Sequence, residues 1–158
     1  MISKDVVVQA VNQFLKDKED YFLVDVTISI HNTICVEIDA FQGVDVETCC
    51  ELSRFIETKI DREIEDFELE VGSAGITAPF KILQQYIKNI NNEVEVLLKN
   101  GKKIIGFLRS ANEHTFVVEV SQKIKKDKNA KKEEVTELLT YAYSDVKHTK
   151  YTLTFKQQ

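Results

Sequence analysis

Turn-forming residues are scarce in this chain: its 158 residues include five glycines and one proline. Gly72, Gly75 and Pro79 fall together in FELEVGSAGITAPF, residues 67–80, at the midpoint. Glycine opens backbone angles closed to other residues and proline removes an amide donor, so regular structure is most easily interrupted here. The segment begins as a strand, with Phe67, Leu69 and Val71 on one side and Glu68 and Glu70 on the other. Three readings compete for the residues beyond that strand: a phosphate-gripping loop, a catalytic turn, or a hinge between two domains.

Charge supports the hinge. Residues 1–78 hold 17 acidic against 6 basic side chains, and residues 79–158 hold 15 basic against 9 acidic. Opposite signs on either side of one boundary point to two surfaces with two kinds of partner, basic protein for the first half and nucleic acid for the second. The reading is two domains, 1–78 and 79–158. No apolar run approaches the roughly 20 residues needed to span a bilayer, and the start lacks the features of a secretory signal, so a cytoplasmic, membrane-free protein is expected. Cys35, Cys49 and Cys50 are odd in number and two are adjacent, which fits neither a disulfide framework nor thiolate spacing for zinc.

Periodicity fills in the two halves. Ser3 is placed to cap a helix over 4–17, with Val7, Ala10, Val11, Phe14 and Leu15 on its apolar face. Residues 22–30 alternate, with Phe22, Val24, Val26, Ile28 and Ile30 on one side, and 33–39 alternate again beyond a His31-Asn32 turn. Asp45 is a cap for a helix over 46–59 whose face carries Val46, Cys49, Leu52, Ser53 and Ile56. With 67–71 as a third strand, the first half is an α/β layer, helices on one face of a three-stranded sheet. In the second half a short helix spans about 80–89, started by Pro79. Strands then come at 93–98, 102–108, 115–120, 135–142 and 151–155. Asn100-Gly101 joins the first two as a tight hairpin with both turn residues at positive φ. Five short strands of this kind suit a small closed or half-closed barrel.

Catalytic motifs are weak. GSAG, residues 72–75, has the glycine frame of a KH loop, but it comes after a strand and has Glu68 and Glu70 beside it, which repel phosphate. No Gly-Lys-Ser/Thr comes next, so it is not a P-loop. Ser73 has no base in its sequence neighbourhood, and His31, His114 and His148 fall in separate elements. No active site, metal site or cofactor is expected. The outward Glu68 and Glu70, with Ser73 and Gly75 in the turn, are candidate protein-contact residues. Lys102, Lys103 and Arg109 flank one hairpin, and Lys123, Lys125 and Lys126 open a loop, 123–132, that holds six lysines. These are candidate RNA contacts through phosphate, although a merely solvated lysine loop is equally consistent.

Taken together the residues resemble the bacterial ribosome maturation factor P family. Its central signature is an aromatic residue, Leu-Glu-Val, two serines, Pro-Gly, Leu-Asp-Arg and Pro-Leu. It appears here as Phe67, Glu68, Leu69, Glu70, Val71, Gly72, Ser73, Ala74, Gly75, Ile76, Thr77, Ala78, Pro79 and Phe80. A second signature appears as Thr48, Cys49, Cys50, Glu51, Leu52, Ser53 and Arg54, and FLVDV (22–26) and VEID (36–39) stand where the family has its first two strands. The likeness extends through the Asn-Gly hairpin to the closing VKHTKYTLTF. Gly72, Ala74, Thr77 and Ala78 depart from the pattern, so contacts made by the family's Asp-Arg pair do not carry over. The resemblance implies an α+β protein: an N-terminal α/β domain and a C-terminal Sm-like barrel. It further implies a monomeric, non-enzymatic factor that binds the free small ribosomal subunit during maturation, near small-subunit ribosomal protein twelve and rRNA. The alternative is a general Sm-like RNA-binding regulator.

Overall fold

A computed structural model of the chain describes residues 2–124 and 133–152, with the side chains at 123, 124 and 133 excepted. Two compact units, Met1–Gly75 and Ile76–Gln158, make up the protein.

The first unit runs α1 (Lys4–Leu15), β1 (Tyr21–Ile28), β2 (Thr33–Ala40), α2 (Val46–Lys59) and β3 (Glu68–Ser73). Its sheet has the order β1-β2-β3, with β1 antiparallel and β3 parallel to β2. A parallel neighbour requires a crossover, and α2 supplies it. Both helices cover one face: Val7 and Val11 of α1 and Leu52 and Ile56 of α2 are wholly buried with Ile34 and Ile38 of β2. Each such side chain contributes about 1.5–3 kcal/mol through lost apolar exposure. The Asp45 side chain accepts from the Thr48 amide at 2.8 Å, as an N-cap should. Ser3 occupies the equivalent position of α1 but its side chain makes no capping bond.

Four expectations for this unit change. A bulge between Leu23 and Asp25 reverses the side-chain alternation of β1. Leu23 and Val26 lie opposite the core residues Ile38 and Val36, so Phe22, opposite Asp39, is on the other face from Val26. Ile30 falls in the turn, 86% exposed, and Val46, the first helical residue of α2, is 79% exposed outside the packed stripe. β3 extends to Ser73, so Gly72 is a strand residue opposite Glu37, where an added Cβ would meet no neighbouring segment within 4 Å, and the left-handed glycines among the described residues are Gly43 and Gly101.

The second unit runs α3 (Leu83–Lys88), β4 (Glu93–Leu98), β5 (Lys103–Ala111), β6 (Thr115–Ile124), β7 (Glu133–Ala142), a 3-10 turn (Tyr143–Asp145) and β8 (Val146–Tyr151). All neighbours are antiparallel in the order β7-β6-β5-β4-β8, so the last strand returns beside the first. Bulges at Leu97/Leu98 and Leu108/Ser110 bend the sheet around Val94, Val96, Leu108, Phe116 and Val118, all wholly buried. Gly106 packs tightly against β6: a Cβ there would overlap the Glu119 carbonyl oxygen and come within 2.7 Å of Val118 Cγ1. The whole is an α+β protein with a small barrel-like second unit.

Here too local readings give way. Pro79 does not start the helix. The chain first crosses the outer edge of β8, where the Phe80 amide donates to the Thr149 carbonyl at 2.8 Å. α3 then begins at Leu83, capped by Gln85, whose Oε1 accepts from the Lys81 and Ile82 amides. In the hairpin Gly101 has φ +91° while Asn100 is not left-handed. The Gly101 amide bonds Leu98 O, and the Leu98 amide bonds Lys102 O, which makes a three-residue loop with glycine at its left-handed position. Among the described residues the last strand is Val146–Tyr151, which starts early because the 3-10 turn spends only three residues after β7, and residues 153–155 of the expected strand 151–155 lie outside the described residues.

Candidate protein and RNA interfaces

β3 is an edge strand, and it places Glu68 and Glu70 on the exposed side away from the helices. Register gathers more carboxylates on that face than the local sequence revealed. Cys35 lies opposite Glu70 and Thr27, and Glu37 opposite Gly72 and Asp25, while Asp39 continues the same alternation. The Cys35 thiol donates to Glu70 Oε2 at 3.5 Å. Desolvation first, and the Glu70 carboxylate second, raise the Cys35 pKa, which keeps it a neutral thiol on an acidic surface. Asp25 and Asp39 each accept from the next backbone amide, at 2.9 and 2.8 Å, which holds their carboxylates against the strand. Ser73 and Gly75 are exposed at the end of this edge, where the Ala74 amide still bonds Ile38 O at 3.0 Å.

Arg62, inside the acidic stretch IDREIED, holds the lead into β3. Its guanidinium lies 4.1 Å over the Phe67 ring, bonds the Phe67 carbonyl, and meets Glu57 at 2.6 Å and Asp66 at 3.0 Å. Arginine's planar fork of several donors suits this stacking with simultaneous bonds to two carboxylates and a carbonyl. At the other side, left-handed Asn32 (φ +58°) accepts the Glu68 amide and donates to Glu65 Oε2 at 2.9 Å. Neither role was visible in the sequence, because the partners are 5 and about 33 residues away.

The basic candidates sit in mixed company. Lys102 is exposed just past the hairpin loop. Lys103 Nζ lies 3.5 Å from Glu95, which also receives Lys150 at 3.5 Å. Arg109 bonds Glu119 at 2.9 Å and Asn91 Oδ1 at 3.0 Å, with its guanidinium 5.2 Å over Phe107. Glu95, Glu119 and Lys150 were not singled out from sequence, although the alternation EVEV already put Glu95 on the outward face with Lys103. Lys123 belongs to β6 opposite Glu134, and Lys125 and Lys126 lie outside the described residues. No cluster of His, Cys, Asp and Glu able to hold a metal occurs among the described residues. No helix among them is long and apolar enough to cross a membrane.

Fold and surfaces therefore define a two-unit α+β protein, with a carboxylate-rich sheet face in one unit and a cation-bearing, barrel-like sheet in the other. The profile of the RimP N-terminal domain matches residues 11–77. A ribosome maturation factor RimP of Porphyromonas gingivalis is 41% identical over 93% of this chain and 96% of its own length. Those of Christiangramia forsetii and Flavobacterium psychrophilum are 33% and 32% identical, over 96% and 92% of this chain and 99% and 94% of their own lengths. The chain belongs to the ribosome maturation factor RimP family.

Proposed function

We propose that this protein is an assembly factor for the small (30S) ribosomal subunit, binding the free or immature subunit in the cytoplasm as a monomer without catalysing a reaction. The observation that carries this is identity spread along nearly the whole chain to proteins named ribosome maturation factors, covering both units rather than one. The two units act as two domains. The face bearing Glu68 and Glu70, with Ser73 and Gly75 at its end, meets a basic small-subunit protein, which the family resemblance suggests is ribosomal protein twelve. Lys102, Lys103 and Arg109, with Lys123, Lys125 and Lys126, meet rRNA phosphate. The Lys103 side chain is 56% exposed although its partner Glu95, at 3.5 Å, is only 16% exposed, so the ammonium stays open to a phosphate.

A general Sm-like regulator built as a ring would use free strand edges to join its copies. Against this stands the Phe80 amide on the Thr149 carbonyl, which occupies part of the outer edge of β8. Co-sedimentation tests the proposal: the protein should travel with free small subunits and not with assembled ribosomes. Equal association with both, or with neither, would refute it.

A further inference from the structure

A cavity of about 330 Å³ lies within the second unit, where the chain leading into α3 passes β8 and the 3-10 turn. Its aromatic wall is Phe80, Tyr86 and Tyr143. Tyr86 stands edge-on to both neighbours, 5.0 Å from Phe80 at 79° and 5.1 Å from Tyr143 at 70°. Tyr86 is buried and serves as the fixed post, whereas Phe80 and Tyr143 keep part of their surface open. The Tyr143 hydroxyl donates to the Asn112 carbonyl at 2.6 Å, which ties the 3-10 turn to the β5–β6 turn, while contacts with the Tyr86 and Phe116 rings set the position of its ring.

The rim is charged. Lys81 and Lys147 are exposed lining residues of one sign, and Glu113, from the β5–β6 turn, is an exposed lining residue of the other. His148 also lines the cavity, and its Nε2 is enclosed without a hydrogen-bond partner among the described residues.

We propose that this cavity takes one unstacked nucleotide of single-stranded RNA, an inference that rests on the RNA-contact reading above and gives it a specific site. Each part of the lining has a matching part in the ligand. A base is a flat apolar surface for Phe80 and Tyr143, and such stacking holds any unpaired base. The flanking phosphates meet the ammonium groups of Lys81 and Lys147. Glu113 accepts from an exocyclic amine on the base edge. A duplex cannot present this ligand, because its bases are stacked and the volume admits one nucleotide only. The site is separate from Lys103 and Arg109, which stand on the outward face of β5.

The test is an amide-resolved NMR titration of the full chain with single-stranded pentaribonucleotides, the matching duplex, the DNA pentamer, a free nucleoside monophosphate and a glutamate-rich peptide. The single-stranded RNA should shift amides at 80–83 and 143–148. Lys147→Glu, at an exposed position, should weaken that binding about tenfold, and Tyr143→Leu similarly, whereas Tyr143→Phe should stay within about twofold. Equal binding of duplex or acidic peptide at these amides would overturn the nucleotide site, whereas the DNA pentamer should bind as the RNA does, since no lining group reads the sugar. So would RNA-induced shifts confined to Lys103 and Arg109 with Lys147→Glu silent, although RNA contact itself would stand. Failure of every RNA to bind, together with loss of co-sedimentation with small subunits, would defeat the underlying reading instead. Should the Tyr143 variants lose their dispersed spectra, Lys147→Glu and Lys81→Glu decide alone.

Discussion

Gly106 shows how one residue can be dictated by contacts no local pattern records. It interrupts the apolar run KIIGFL, where a strand would ordinarily favour a β-branched residue. The space a Cβ would need is taken by the Glu119 carbonyl and the side chains of Val118 and Val120, the latter at 3.0 Å. Gly106→Ala should therefore destabilise the second unit by about 1–3 kcal/mol, read as a lower urea midpoint with unchanged slope. An unaltered midpoint would mean that β5 and β6 separate easily. Titration is the second matter at this scale. Burial pushes the phenols of Tyr86, Tyr141 and Tyr143 above their ordinary 10.0 and the thiol of Cys49 above its 9.0. Groups raised in the folded state contribute fully below the unfolded pKa and lose that contribution as pH rises through the folded one. Tm should hence be level near neutrality and fall from about pH 9 upward. A level Tm to about pH 11 would contradict the burial of these groups.

At the scale of elements, the three-stranded sheet turns scattered residues into a surface. Glu68 and Glu70 were legible as outward residues because FELEV alternates cleanly. Asp25, Glu37 and Asp39 join them only through the register of β1, β2 and β3, which depends on a parallel pairing across α2. Glu68→Lys with Glu70→Lys should lower affinity for free small subunits about tenfold or more, since like charges then face a basic partner. Both positions are exposed, so circular dichroism should be unchanged, and retained affinity would remove this face from the interface. The hairpin at Asn100-Gly101 carries a related lesson. The dipeptide announced a reversal, but loop length, and with it the turn type, was set by how β4 and β5 align.

For the whole molecule, the charge partition is the prediction to test. Changing Lys102, Lys103 and Arg109 to Glu should weaken RNA binding and reduce the slope of log affinity against log salt by up to about 0.7 for each phosphate no longer neutralised. The ion pairs to Glu95 and Glu119 make a smaller change informative: an unchanged slope would mean those carboxylates, not phosphates, are the cations' lasting partners.

What the amino-acid sequence determined alone was most of the elements and the family. Periodicity and turn chemistry act over a few residues, so α1, α2 and the strand cores were readable within short windows. Tertiary structure decided the rest. It set the bulge that turns Phe22 away from Val26, the Arg62 clamp on Phe67, and the passage of Phe80 along β8 before α3 begins. It also assembled Phe80, Tyr86, Glu113 and Tyr143 around one cavity. Each of these depends on atoms brought together by folding, and pairings between distant segments leave no periodic trace in the chain.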